Sequence, residues 1–260
     1  MSLPQILSDA EIDAAGATLT VSVPDTWMQG RTVYGGLTAA LALEAAIRSA
    51  PDLPPLRSAQ IAFVGPLAGT VTVSTELLRR GRTAAFIEAS VHADGKLGMK
   101  ALFVFMVGLE SSIDYSVTAR PDVPGPGDAA PARANPDPKF FTSNLEYRHG
   151  LPIEARHDPD FMRWVRLKDR TGLHPMVELM AIGDALPPAA MALFSRPGPI
   201  SSMTWQVNLL MAEPATSDGW WLSRSTADLA RHGSSSQAMQ VWNAAREPVV
   251  TGMQSVAIFV

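Results

Sequence analysis

Residues 30–49 read GRTVYGGLTAALALEAAIRS. Loop chemistry around Gly35-Gly36 gives way at Leu37 to a run dense in Ala and Leu, charged only at Glu44 and Arg48. A helix with so little polar surface must be buried over most of its circumference. Pro51, Pro54 and Pro55 end it. The segments that follow can bury it. SAQIAFVG (58–65), TVTVSTELL (70–78), AAFIEASVHA (84–93) and GMKALFVFMV (98–107) read as strands, with Val71, Val73, Thr75 and Leu77 sharing one face. Gly81-Arg82 and Asp94-Gly95 supply the turns. With ATLTVSV (17–23) as an opening strand, the expectation is α+β: an antiparallel sheet wrapped around one apolar helix.

The pattern is then written a second time. LEYRHGLPIEAR (145–156) and FMRWVRLKD (161–169) are strand-like. GLHPMVELMAIGDALPPAAM (172–191) is a second apolar helix, broken or ended by Pro187-Pro188. SMTWQVNLL, WWLSRSTADL, SSQAMQVWNA and MQSVAIFV supply four more strands over 202–260. In outline, RRGRTAAFIEASVHADGKLGMKALFVFM (79–106) is repeated by ARHGSSSQAMQVWNAAREPVVTGMQSVAIFV (230–260). Between the copies, PDVPGPGDAAPARANPDP (121–138) reads as a linker with no packed structure of its own. The expected division is an N-terminal unit over 1–115, a Pro-rich linker over 116–142 and a C-terminal unit over 143–260. Polar residues are shared unequally. Gln254 stands on the last strand of copy two, where copy one has apolar residues and Lys100.

Composition removes several classes of function. The net charge of −4 argues against nucleic acid as a partner. The absence of cysteine excludes disulfides, thiolate metal sites and cysteine nucleophiles. His92, His149, His157, His174 and His232 show no metal-ligand spacing, so neither a metal nor any other cofactor is expected. The apolar runs are too short and interrupted to span a membrane, and MSLPQILSDAEID is acidic where a signal peptide would be basic and apolar. The expectation is a cytoplasmic protein. No G-x-S-x-G elbow occurs, and GRTVYGG lacks the Gly-Lys-[ST] of a phosphate-binding loop.

The order of strand, Gly-Gly loop, buried helix and antiparallel meander, written twice, resembles the double hot-dog proteins. More narrowly it is similar to the acyl-CoA thioesterase II (TesB-like) family. TVYGGLTAALALEAA, GDALPP, ISSMTWQVNLL and VVTGMQSVAIF carry the likeness. The resemblance implies an acyl-CoA substrate, hydrolysed to free acid and CoA. It also implies three side chains from the second half that hold and activate the water: an Asp at Asp184, a Gln at Gln254, and a Thr position that falls on Ser202. Thr204 follows two residues on and is expected on the same strand face. Tyr34 departs from the His or Phe often found before the Gly-Gly pair in related enzymes.

The residue types suit that chemistry. Asp184 stands late in an apolar helix, where desolvation raises a carboxyl pKa toward that of a useful base. The amide of Gln254 and the hydroxyl of Ser202 can orient a water. Backbone N–H groups at Gly35 and Gly36 open a helix and could hold an oxyanion. Trp205, Met203 and Met176, Met180 and Met191 could line an acyl slot. Arg80, in the cluster Arg79, Arg80 and Arg82, could meet CoA phosphates, and Glu44 could mark a second acid. Two alternatives stand beside the thioesterase reading. One is a hot-dog protein that binds acyl-CoA without hydrolysing it. The other is a double hot-dog enoyl-CoA hydratase, which needs an Asp and a His about one helical turn apart; Asp184 is followed by Ala, Leu and two prolines. A homodimer is expected, each copy offering an edge strand.

Overall fold

A computed structural model describes residues 1–14, 16–151 and 159–260. The first half contains α1 (Leu3–Ser8), β1 (Glu11–Ile12), β2 (Thr18–Ser22), β3 (Met28–Gln29), β4 (Thr32–Val33), α2 (Gly35–Ser49), β5 (Leu56–Phe63), β6 (Thr70–Arg80), β7 (Ala84–Ala93) and β8 (Lys96–Met106). The second half contains β9 (Leu145–His149), β10 (Asp160–Leu167), α3 (Pro175–Gly183), β11 (Ile200–Leu209), β12 (Trp221–Arg231), β13 (Ser234–Trp242) and β14 (Pro248–Ile258). The expected strand over 145–156 is present as β9; residues 152–156 of that stretch lie outside the described residues.

Each half wraps its own helix in an antiparallel sheet, as a double hot-dog does. α2 packs on β2, β6, β7 and β8, and α3 packs on β10. The two sheets are continuous. β5 of the first half pairs with β11 of the second, with Gln60 opposite Gln206 and Ile61 opposite Trp205, giving one 12-stranded sheet. That pairing consumes the central edge of each copy within the chain. Among the described residues the edges left are β1 and β9, both short, which limits their use as templates for another strand.

The helices pack on each other in antiparallel fashion. The end of α3 lies on the start of α2, where the Tyr34 hydroxyl donates to Ala181 O at 2.8 Å. Tyr34 is fully buried and stacks on Phe141, ring centroids 3.9 Å apart. Leu37, Leu41 and Leu43 of α2 have no exposed surface, and burial of each stabilises the fold by about 1.5–3 kcal/mol. α3 carries one charge that its apolar sequence hides. Glu178 is buried and held by Arg170 at 3.0 Å and by the Trp221 indole N–H at 3.0 Å.

The Pro-rich segment corrects its expectation. It forms little regular structure, yet it packs on the outer face of the second sheet. Val123 and Ala129 are buried with Trp164, Trp220, Leu222 and Trp242. The indole N–H of Trp164 donates to Pro124 O and that of Trp242 to Ala119 O, at 3.0 and 3.1 Å. The Arg148 guanidinium donates to Pro126 O at 2.7 Å. Buried tryptophans need a partner for their one donor, and the carbonyls of the Pro-rich segment supply it.

Candidate active site

Asp184 follows α3 directly, with φ −99° and ψ 11°. Pro187 disfavours helical conformation in the residue before it, so the helix ends and the chain re-forms only a short 3-10 turn over Ala189–Leu193. This stop aims the Asp184 carboxylate at the start of α2. Gly36 donates its backbone N–H to that carboxylate. A Cβ on Gly35 would lie 2.6 Å from Asp184 Oδ2 and 3.0 Å from the Phe63 ring. Glycine at position 35 is therefore what lets an acid from the second half rest on a helix start from the first. The positive end of that helix favours the ionised form.

Gln254 of β14 donates Nε2–H to Asp184 Oδ1 at 2.6 Å. Its own Oε1 accepts from Gln237 Nε2 at 2.7 Å and stands 3.4 Å from Ser202 Oγ. Gln237 Oε1 accepts in turn from the N–H of Ala189, at 2.9 Å. Burial raises the Asp184 pKa from 3.8 to about 7, against the Gln254 and Gly36 hydrogen bonds, which lower it. Burial, with the Asp184 charge as a lesser cause, also pushes up Tyr34 and Tyr147, so both phenols stay protonated at neutral pH.

The acid keeps partial exposure through a cleft of about 430 Å³. Gly35, Thr38, Phe63, Gly98, Pro188, Ile200, Ser201 and Ser202 form its walls, and Gln29, Arg31 and the Val64–Leu67 loop its rim. Among the described residues of the lining, Arg31, exposed on the β3–β4 turn, is the single cation and Asp184 the single anion. A larger hollow of about 670 Å³ lies at the other helix ends, between Ile47 and Ala50 of the first half and His174–Met176 of the second. Its acids, Asp52 and Glu213, are exposed, and Glu178, in the first turn of α3, is already held by Arg170 and the Trp221 indole. The chemistry favours the smaller cleft.

Asp184, Gln254, Ser202, Gly35 and Gly36 are thus brought together. Other expectations are corrected. Thr204 does not share a face with Ser202. β11 carries a bulge between them, so Ser202 pairs with the inward Val256 while Thr204 pairs with Ser255 on the outer face. The Gly36 N–H is already engaged by the Asp184 carboxylate. Arg80 donates to Pro51 O and Asp52 O, at 2.6 and 2.8 Å, and ties down the loop after α2. At 1.5 Å per residue, the 15-residue α2 places that loop about 22 Å from Gly35. Glu44 pairs with Arg48 on one helix face. Trp205 is core, packed against Gly183; Met176 and Met180 are also buried core, whereas Met203 and Met191 are exposed. Sequence reasoning missed Gln237 and Arg31. The signal for Gln237 was its place on an inward strand position of SSSQAMQVW, among Ser235, Met239 and Val241.

Among the described residues no group of His, Asp and Glu could hold a metal ion, and no helix is long and apolar enough to cross a membrane. A family model described as acyl-CoA thioesterase N-terminal domain matches residues 23–106, and one described as acyl-CoA thioesterase C-terminal domain matches residues 120–258. No curated protein matches the chain in sequence. Solved structures match it end to end. A conserved protein of unknown function with a hot-dog fold, from Alicyclobacillus acidocaldarius, is 23% identical over 98% of this chain and 97% of that one, TM-score 0.84. A tesB protein from Mycobacterium avium subs paratuberculosis is 20% identical over 100% of both chains, TM-score 0.79. An acyl-CoA thioesterase II from Mycobacterium marinum is 17% identical over 98% and 97%, TM-score 0.71.

Proposed function

The chain belongs to the acyl-CoA thioesterase family and is a thioester hydrolase, and on that premise we propose that Asp184 is its general base. The observation that carries this reading is a desolvated carboxylate, with a pKa near 7, on the floor of a cleft and held by Gln254 and Gly36. An acyl-CoA enters with its thioester carbonyl beside Asp184. The carboxylate takes a proton from a water as the water oxygen bonds to the thioester carbon. The tetrahedral intermediate collapses with loss of the C–S bond, and Asp184 returns the proton to the departing CoA thiolate. Products are the free acid and the CoA thiol. Gln254 fixes the carboxylate, and the Ser202 hydroxyl, at the cleft wall, orients the water. Positioning of this kind converts a bimolecular attack into a near-unimolecular one. Arg31 at the rim, the single cation among the described residues of the lining, meets the CoA phosphates.

The test is thiol release from short, medium, long and aryl acyl-CoAs, on wild type and Asp184→Asn. Loss of a positioned general base costs on the order of 10²–10⁴ in turnover. Near wild-type turnover by Asp184→Asn refutes the base assignment. Tight binding without hydrolysis across the panel refutes the hydrolytic reading in favour of a binding protein.

A further inference from the structure

The carboxylate of Asp184 is satisfied by an amide that could face it either way. Turned one way, Gln254 presents Nε2–H and favours the ionised acid. Turned the other, it presents Oε1, repels a carboxylate and favours the protonated acid. Something must choose, and the choice is visible two residues further out. The Ala189 backbone N–H can only donate. The Gln237 atom facing it at 2.9 Å must therefore be the oxygen, which leaves the Gln237 NH₂ to face Gln254. The Gln254 atom that meets an NH₂ at 2.7 Å must in turn be its oxygen. That leaves Nε2–H, and only Nε2–H, for Asp184. We propose that Gln237 is a positioning residue, which transmits the donor sense of the Ala189 N–H to Gln254 and so holds Asp184 in its ionised, proton-accepting form.

Burial makes the device effective. Gln237 is 1% exposed and Gln254 3%, so neither amide is open to competition from bulk water. The other groups near Asp184 do not fix the sense of the Gln254 amide. Gly36 N–H contacts the acid itself, Tyr34 donates to Ala181 O and Tyr147 to Ala185 O, and Arg31 stands at the rim. Arg163, on β10, acts on Tyr147. Ser202 Oγ can donate to Gln254 Oε1, but at 3.4 Å and with a freely turning hydroxyl that accepts as readily as it donates.

The inference deepens the thioesterase reading and rests on Asp184 being the base, yet it can be measured without turnover. The carboxyl ¹³C signal of Asp184 is assigned by its loss in Asp184→Asn and titrated in wild type, Gln237→Leu and Gln237→Glu. Gln237→Leu frees the Gln254 amide to turn, and the Asp184 midpoint rises by about 1 pH unit, the worth of one hydrogen bond to a charged group. The acid limb of kcat/KM moves with it, while KM changes little. Gln237→Glu behaves differently. Protonated, its carboxyl accepts from Ala189 and donates to Gln254 Oε1, which preserves the native sense. Ionised, it only accepts, and Gln254 must reverse. Its kcat/KM profile therefore gains a basic limb that wild type and Gln237→Leu lack. A merely structural role for Gln237 lowers Tm or the active fraction and leaves the Asp184 midpoint where it was; an unchanged midpoint in Gln237→Leu overturns the proposal. Retained turnover in Asp184→Asn together with a moved midpoint in Gln237→Leu would instead reject the base assignment and keep the orientation lock.

Discussion

Replacing Asp184 with Asn should lower turnover by about 10²–10⁴ and stabilise the protein, with a pH dependence that follows from one carboxyl. In the folded chain that carboxyl titrates near 7; its ordinary value is 3.8. Between those values the folded state holds a proton that the unfolded chain releases. Wild-type stability therefore falls as pH rises from about 4 to about 7, then levels off. At 1.36 kcal/mol per pH unit, the gap corresponds to about 4 kcal/mol of instability at pH 8. Asn removes the charge and its desolvation. It also turns an NH₂ toward either Gly36 N–H or Gln254 Nε2–H, and an unsatisfied donor of this kind costs about 1–3 kcal/mol. The net expectation at pH 8 is a variant more stable by about 1–3 kcal/mol. For a chain of this size that is a rise in Tm of about 2–4 °C per kcal/mol. At pH 4, where the folded wild-type acid is neutral and little of the linkage has yet developed, the advantage should disappear. Thermal unfolding followed by circular dichroism from pH 4 to 8.5 measures the difference directly. A variant less stable than wild type at pH 8, or a difference that does not change with pH, refutes a desolvated, ionised Asp184.

Wild-type kcat/KM should fall on the acid side with a midpoint near pH 7, because the base must be unprotonated; a flat profile between pH 5 and 8 contradicts that role. Gly35→Ala places a methyl 2.6 Å from Asp184 Oδ2 and 3.0 Å from Phe63, and should cost about 10²-fold in kcat by displacing the carboxylate, measured as thiol release. Ser202→Ala should lower kcat about 10-fold, while Thr204→Val, on the outer face, should stay within about 2-fold of wild type. Arg31→Ala should raise KM for acyl-CoA and flatten its dependence on salt, yet leave an N-acetylcysteamine thioester, which has no phosphates, unaffected in steady-state assays.

Strand alternation made the sheets legible. The expected strands at 70–78, 84–93 and 98–107 correspond to β6, β7 and β8 within about two residues, because one face of each is buried against α2. The acid, the amide and the hydroxyl came from likeness to a family. What no reading of alternation could place was the bulge in β11. One extra residue, Met203, reverses the face of everything after it, so Thr204 turns outward although it stands two residues from Ser202. Gln237 escaped for a related reason. SSSQAMQVW alternates like any half-buried strand, and which half is buried depends on pairing with β12 and β14. The Pro-rich segment looked unstructured because its anchors are distant in sequence: three indoles and two guanidiniums reach its carbonyls or pack against it.

The double hot-dog fold gives this chain two helix junctions, and the physics of each decides why one can host a base. Where α3 ends on α2, the carboxylate meets an open helix start, a glycine that leaves room for it and an amide whose donor sense is fixed. Where α2 ends on α3, Ala50 follows the helix. The facing helix start is already closed, since Pro175 has no N–H and the His174 ring accepts the N–H of Met176. The inward positions of β7 and β8 are Ala85, Ile87, Ala89, Val91, Met99, Ala101, Phe103 and Phe105, all buried and all without a hydrogen-bonding side chain. A carboxylate placed at the end of α2 would find neither a helix N–H nor an amide, and in that apolar surrounding it would stay protonated. The second junction is therefore closed by three separate features of the fold, and placing an acid there would not by itself make it a site.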